Sequence, residues 1–132
     1  MSSKFDPLSL DIYAKSELQN FYSQRTGEKK IGDALLSWES KEWRDAKFVI
    51  LGVEESQGPR ANLGRGGAEH AFKAFLSKFL GMQSNTYFEA RNVGLLGCVK
   101  VDTEAPVISE VVDSLDEFIS ETISSYLHKD QI

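Results

Sequence analysis

The chain has one cysteine, two histidines, no excess of basic residues and no long apolar run. A single cysteine excludes an internal disulfide. Cys98 lies in Leu95-Leu96-Gly97-Cys98-Val99, where a thiol beside leucine and valine is expected to act as a small core hydrophobe. A nucleophilic role would want a neighbouring base, and neither His70 nor His128 is close in sequence. Acidic residues outnumber basic ones, 20 to 15, giving a net charge of −5, and the Lys and Arg residues are scattered. Nucleic-acid binding needs clustered cations that displace counterions from phosphates, so no nucleic-acid partner is expected. No stretch reaches membrane-spanning length, and Met1-Ser2-Ser3-Lys4-Phe5-Asp6 lacks the apolar core of a signal peptide. The expectation is a cytoplasmic protein with no membrane partner.

What the chain does have is the balance of a folded domain, 41% hydrophobic and 27% charged. Residues 1–45 give the weakest signal and are expected to form a helical or irregular N-terminal extension. Within it, Ile12, Tyr13, Leu18, Phe21 and Tyr22 are loosely spaced as on a helix, and residues 25–30 read as a polar turn. Residues 31–38 fit a short strand or a helical turn, because periodicity over so few residues does not decide. Trp38 and Trp43 flank charged residues and are expected to pack on the surface of the core, with an interface as the second reading.

From residue 46 onward the pattern is sharper. Lys47-Phe48-Val49-Ile50-Leu51-Gly52-Val53 is a continuous, partly β-branched apolar run of the kind buried on both faces of a parallel sheet. A loop from Glu54 to Gly67 follows. Ala68, Ala71, Phe72, Phe75, Leu76, Phe79 and Leu80 then recur at helical spacing, with Gly81 placed to end the helix. Residues 92–101 read as a second strand. Pro106 suits the first turn of a further helix whose buried stripe runs from Val107 to Tyr126, Ile123 included, and whose other face carries Glu110, Asp113, Asp116, Glu117 and Glu121. That acidic face is expected to be solvated, although it could receive a basic partner. Strand, loop, helix, strand, helix indicates an α/β protein. Two strands are few for such a sheet, and the expectation is an unfinished domain spanning residues 46–132.

The loop Gly58-Pro59-Arg60-Ala61-Asn62-Leu63-Gly64-Arg65-Gly66-Gly67 matches neither the dinucleotide fingerprint nor a phosphate loop ending in Gly-Lys-Ser/Thr. On spacing alone it is a glycine-rich turn into a helix. Together with Phe48-Val49-Ile50-Leu51-Gly52-Val53-Glu54-Glu55 before it, it resembles the first strand and loop of the ureohydrolases, the arginase, agmatinase and formimidoylglutamase family. The run Ala74-Phe75-Leu76-Ser77-Lys78-Phe79-Leu80-Gly81-Met82-Gln83-Ser84-Asn85 is most similar to the bacterial formimidoylglutamase-like branch, and Asn92-Val93-Gly94-Leu95-Leu96-Gly97 resembles its second strand. The resemblance covers about the second two-thirds of the chain.

It implies an incomplete three-layer α/β/α domain with a mainly parallel sheet, the N-terminal portion of an arginase-like fold. It also implies C–N hydrolysis of a guanidino or formimino substrate such as arginine, agmatine or formiminoglutamate, by hydroxide bridging two manganese ions. The family's metal motifs, Gly-Gly-Asp-His or Gly-Gly-Gly-His, Asp-x-His-x-Asp and a later Asp-x-Asp, do not occur here. No catalytic or metal residue and no cofactor is therefore assigned to this chain, which is expected to be inactive alone, with manganese and small-molecule substrate belonging to a full-length relative.

His70 falls on the polar side of its helix with Lys73 and Ser77, away from Glu69, and is expected to be a surface histidine. Arg60, Asn62 and Arg65 are the candidates for a substrate-entrance loop, since ligands of open α/β sheets gather at the carboxyl ends of strands. They could hold a substrate carboxylate or brace the loop through carbonyls. Two further readings stand beside the enzyme fragment: a self-associating module that pairs its open sheet edge with another copy, and a phosphate binder using the glycine-rich loop. In a full-length enzyme Arg65→Ala is expected to raise KM more than it lowers kcat; steady-state kinetics with an unchanged KM would remove Arg65 from substrate contact.

Overall fold

A nine-residue strand with almost no polar side chains has to be covered on both faces, and the rest of the chain is arranged to do so. The computed structural model describes residues 8–55, 67–102 and 109–132. The central strand is β4 (Val93–Val101), whose first seven residues are all buried. Three strands pair with it. β3 (Phe48–Glu54) runs parallel along one edge. The other edge is shared by β2 (Leu36–Ser37), parallel at Gly94 and Leu95, and β1 (Leu8–Ile12), antiparallel from Gly97 to Val101. The four strands form an open, mixed sheet.

Helices pack on both faces. Short helical turns α1 (Lys15–Leu18) and α2 (Ile31–Ala34) lie between β1 and β2. α3 (Ala71–Phe79) follows β3, and α4 (Ser109–Tyr126) follows β4. One core joins Tyr13, Leu18, Ile31, Leu35, Leu76, Leu80, Leu95 and Cys98, with Phe72 packed against them. The other joins Leu8, Val99 and Leu115 to Leu10, Leu51, Val53, Phe118 and Ile119. Neighbours Cys98 and Val99 thus look into different cores, as alternation along a strand requires.

A bulge interrupts that alternation. Ile50 pairs with Leu95, but the next residue, Leu51, pairs with Gly97, which leaves Leu96 as an extra residue on β4. The bulge lets Leu95 and Cys98, three apart, share a core. Gly97 makes it possible: its φ is +152°, and a Cβ there would lie 1.9 Å from the Asp11 carbonyl oxygen. Two other glycines are needed for space. A Cβ on Gly52 would meet the Phe72 ring at 2.2 Å, and one on Gly94 would meet Trp43 at 2.6 Å.

Several expectations are corrected. Leu8–Ile12, assigned to a helical or irregular extension, is a strand. Its strict alternation, Leu8, Leu10 and Ile12 against Ser9 and Asp11, is the two-residue period of a half-buried strand. The sheet has four strands, and β1 makes it mixed. Residues 31–38 are both a helical turn and a two-residue strand. Trp43 is buried inside the core instead of on its surface; its Nε1 donates to the Tyr126 carbonyl at 3.2 Å, while Trp38 packs edge-on against it. Ile123, placed on the buried stripe of α4, is 45% exposed. Pro106 lies outside the described residues. Asp113, Asp116, Glu117 and Glu121 form the exposed face of α4.

The segment joining β1 to β2 is held by one lysine. Lys15 Nζ donates to the carbonyls of Gly32, Asp33 and Leu35 at 3.0, 2.9 and 2.8 Å, occupying all three ammonium donors at the end of α2.

Gly97→Ala is expected to destabilise the chain by at least about 2 kcal/mol, through backbone strain and the clash with Asp11. Gly81→Ala, whose Cβ would have nothing nearer than 3.5 Å, should be close to neutral. Paired urea melts check both; equal midpoints would mean that β1 does not pair as described.

Candidate functional site

The carboxyl end of β3 is where the chain leaves the sheet's parallel pair, with the glycine-rich segment next in sequence. Glu54 is the last residue of β3 and faces Lys100 across the ladder. One step back, Cys98 lies between Gly52 of β3 and Asp11 of β1. Directly opposed residues in a sheet share a face. Asp11, Cys98, Gly52, Lys100 and Glu54 therefore point to the α3 side. Tyr13, two residues beyond Asp11, is anchored by its backbone N–H donating to Leu96 O at 3.0 Å. Its ring stacks on Phe72 with centroids 6.4 Å apart.

The polar groups of this strip are unequally satisfied. Lys100 Nζ pairs with Asp11 Oδ2 at 3.2 Å. Burial works against the Lys100 charge, but the Asp11 carboxylate, helped by Glu54 and Cys98, outweighs it and raises the lysine pKa. Tyr13 is 4% exposed and its hydroxyl has no hydrogen-bond partner. Burial first, then the electrostatic effect of Cys98 and of the carboxylates of Glu54, Asp11 and Glu17, push the phenol well above its ordinary value. Glu54 Oε1 is likewise buried without a hydrogen bond of its own, while the carboxylate as a whole meets the Cys98 thiol. Glu28 Oε2, buried and without a hydrogen bond, has the Lys30 ammonium 3.2 Å away and is answered electrostatically.

Cys98 is fully buried and leans on the Val99 carbonyl, Sγ to O 3.4 Å. Burial, followed by the charge of Glu54, pushes its thiol up to about 12. At neutral pH it is a thiol in the core, as its apolar neighbours indicate.

Arg60, Asn62 and Arg65 lie outside the described residues. His70 is on the surface as expected, its side chain 82% exposed, but Glu69 does reach it, Oε1 to Nε2 3.6 Å, because the two sit in a short 3-10 turn instead of on a regular helix. His128 lines a separate cleft of about 530 Å³ with Arg44, Asp45, Lys47, Lys129 and Asp130. Among the described residues, no three His, Cys, Asp or Glu side chains come together as a metal site. No described helix is long and apolar enough to cross a membrane. No family model, curated protein or solved structure matches the chain.

The strip was not visible in the sequence because its partners come from three strands. Tyr13 reads as one of several aromatics on a helix, Glu54 as the first residue of a loop, and Asp11 as a polar residue in an unread strand. The alternation of residues 8–12 was the one signal that would have placed Asp11 and Tyr13 on a common face.

With its pKa near 12, Cys98 should resist iodoacetamide at pH 8 in the folded chain and react promptly in denaturant. Mass spectrometry of timed samples reads this, and fast native alkylation would show that the α3 side of the sheet opens.

Proposed function

We propose that the chain is the front portion of a cytoplasmic, ureohydrolase-type enzyme that hydrolyses a C–N bond of a guanidino or formimino compound. The observation that carries the reading is the parallel pairing of β3 with β4, joined through the glycine-rich segment and α3. This is the connection expected of the first strands of such a domain, with the loop at the carboxyl end where α/β sheets collect their ligands. Helices against both faces agree with a three-layer arrangement. The outer edge of β3 is also met by one residue: Ile132 N donates to Lys47 O at 2.9 Å and Val49 N donates to Ile132 O at 2.6 Å. These two bonds flank Phe48 in the pattern of a parallel bridge.

The described residues offer no converging set of metal ligands. The two manganese ions of such enzymes would have to be held by residues other than these, and the metal chemistry would come with them. What this portion would supply is the sheet edge and, in sequence, the loop bearing Arg60, Asn62 and Arg65, which we propose as contacts for a substrate's polar end.

The interaction-module reading draws on the same edge, together with Phe48 at 50% and Phe75 at 44% exposure. The two part company on one experiment. The 132-residue chain and a version extended along its reading frame are assayed with manganese for urea or formamide release. Metal-dependent turnover by the extended protein alone supports the enzyme. A frame that stops at Ile132, with a dimer in sedimentation, supports the module; turnover by the short chain overturns the proposal that its metal site lies elsewhere.

A further inference from the structure

The outer surfaces of α3 and α4, on opposite faces of the sheet, differ in charge and in character. On the α3 side, phenylalanines form a continuous row that reaches the surface. Phe72 stacks on Phe75 with centroids 6.2 Å apart, Phe75 stacks on Phe79 at 5.1 Å, and Phe79 meets Phe88 edge-on at 6.0 Å. Phe75 is 44% and Phe88 38% exposed, and Met82 just past the helix is 56% exposed. A contiguous exposed apolar row of this kind marks a contact surface. From His70 to Phe88 the chain has two lysines, Lys73 and Lys78, and no acid. Lys78 is three residues beyond Phe75 and therefore beside it on the helix.

The α4 side is the reverse. α4 contains five acids and no lysine or arginine. Asp113, Asp116, Glu117 and Glu121 are exposed, and Ile123 is 45% exposed. Asp116, Ser120 and Ile123 follow at i, i+4, i+7, so an acid and an exposed isoleucine share one flank. Among the described residues, neither the two α3 lysines nor these four acids form an ion pair within the chain. The sheet lies between the two helices, so their outer faces cannot meet within one copy. Between two copies they can.

We propose that the α3 face is the docking surface for α4 of a second copy of this chain. The row from Phe75 to Phe88 lies against the Ile123 flank, and the α3 lysines are answered by Asp116, Glu117 and Glu121. Charge decides the occupant. A second α3 face would set lysine against lysine, and two α4 faces would set acid against acid. The contact is therefore head-to-tail and joins unlike patches, unlike a two-fold pairing of the same patch. It lies on the helices and not on the outer edge of β3, and it depends neither on the hydrolase reading nor on pairing of that edge.

Sedimentation equilibrium of the whole chain at low and high salt reads the association. Self-association is expected, and it weakens at high salt as screening shortens the reach of the charges. Two double variants each reverse one face: Lys73→Glu with Lys78→Glu, and Asp116→Lys with Glu117→Lys. Each alone should associate roughly tenfold more weakly or worse, because like charges then oppose one another. Mixed in equal amounts they should associate again, since the reversed α3 of one meets the reversed α4 of the other. Thermal melts confirm folding, and Lys78→Glu or Asp116→Lys alone replaces a double variant that does not fold. A native chain that stays monomeric up to its solubility limit would overturn the proposal. So would association that neither reversal weakens, the result expected of pairing through the β3 edge. Variants weakened alone but not restored by mixing would overturn it as well, because they would show a general effect of charge instead of a contact between these two faces.

Discussion

The approach of the Asp11 carbonyl to within 1.9 Å of where a Cβ on residue 97 would stand is the closest such contact among the described glycines. It requires glycine there, and the glycine permits the bulge at Leu96–Gly97. Without the extra residue, β1 and β3 could not both keep their register on β4 while Leu95 and Cys98 share a core. The buried side chains of β4 could still be buried in another register, but each would then face the other helix. Hydrophobic burial, roughly 1.5–3 kcal/mol for each fully buried leucine or valine, supplies the driving force. It does not choose the face. The glycine contact does.

The two faces that result are of different character. Against α4 the contacts are apolar along the whole sheet, from Leu8 and Val99 to Leu115 and Ile119. Against α3 they are apolar only toward the amino ends of β3 and β4, where Ile50 and Leu95 meet Leu76 and Leu80. Toward the carboxyl ends the same face turns polar, through Asp11, Lys100 and Glu54. Phe72 lies at the boundary, and it can lie flat on the strand because residue 52 has no side chain. One end of one face therefore sets charge beside the buried Tyr13 and Cys98, with the Lys100–Asp11 pair itself partly open to water.

How much of this was legible follows from the range of each signal. β3, α3, β4 and α4 were readable because long apolar runs and helical periods are local, and each element carries its own evidence. β1 was missed because its five residues run into Tyr13, Leu18, Phe21 and Tyr22, whose spacing imitates a helix. Trp43 was placed on the surface because the charged residues around it conceal a ring that fits over Gly94, a contact fifty residues away. The polar strip was illegible for the same reason. Asp11, Glu54 and Lys100 are unremarkable one by one, and only pairing across three strands sets them side by side. The glycine-rich loop was the reverse case: conspicuous in sequence, with Arg60, Asn62 and Arg65 outside the described residues.

That contrast bears on how the strip is held. A group kept only for stability gains from being satisfied, as the Lys15 ammonium is by three carbonyls and Asp33 is by the Tyr22 hydroxyl at 2.6 Å. The Tyr13 hydroxyl has no hydrogen-bond partner, whereas the Glu54 carboxylate meets the Cys98 thiol and faces Lys100 across the ladder. Because the bulge sets the register of β1 against β4, the constraint that fixes the fold also sets Asp11 opposite Cys98 and within reach of Lys100.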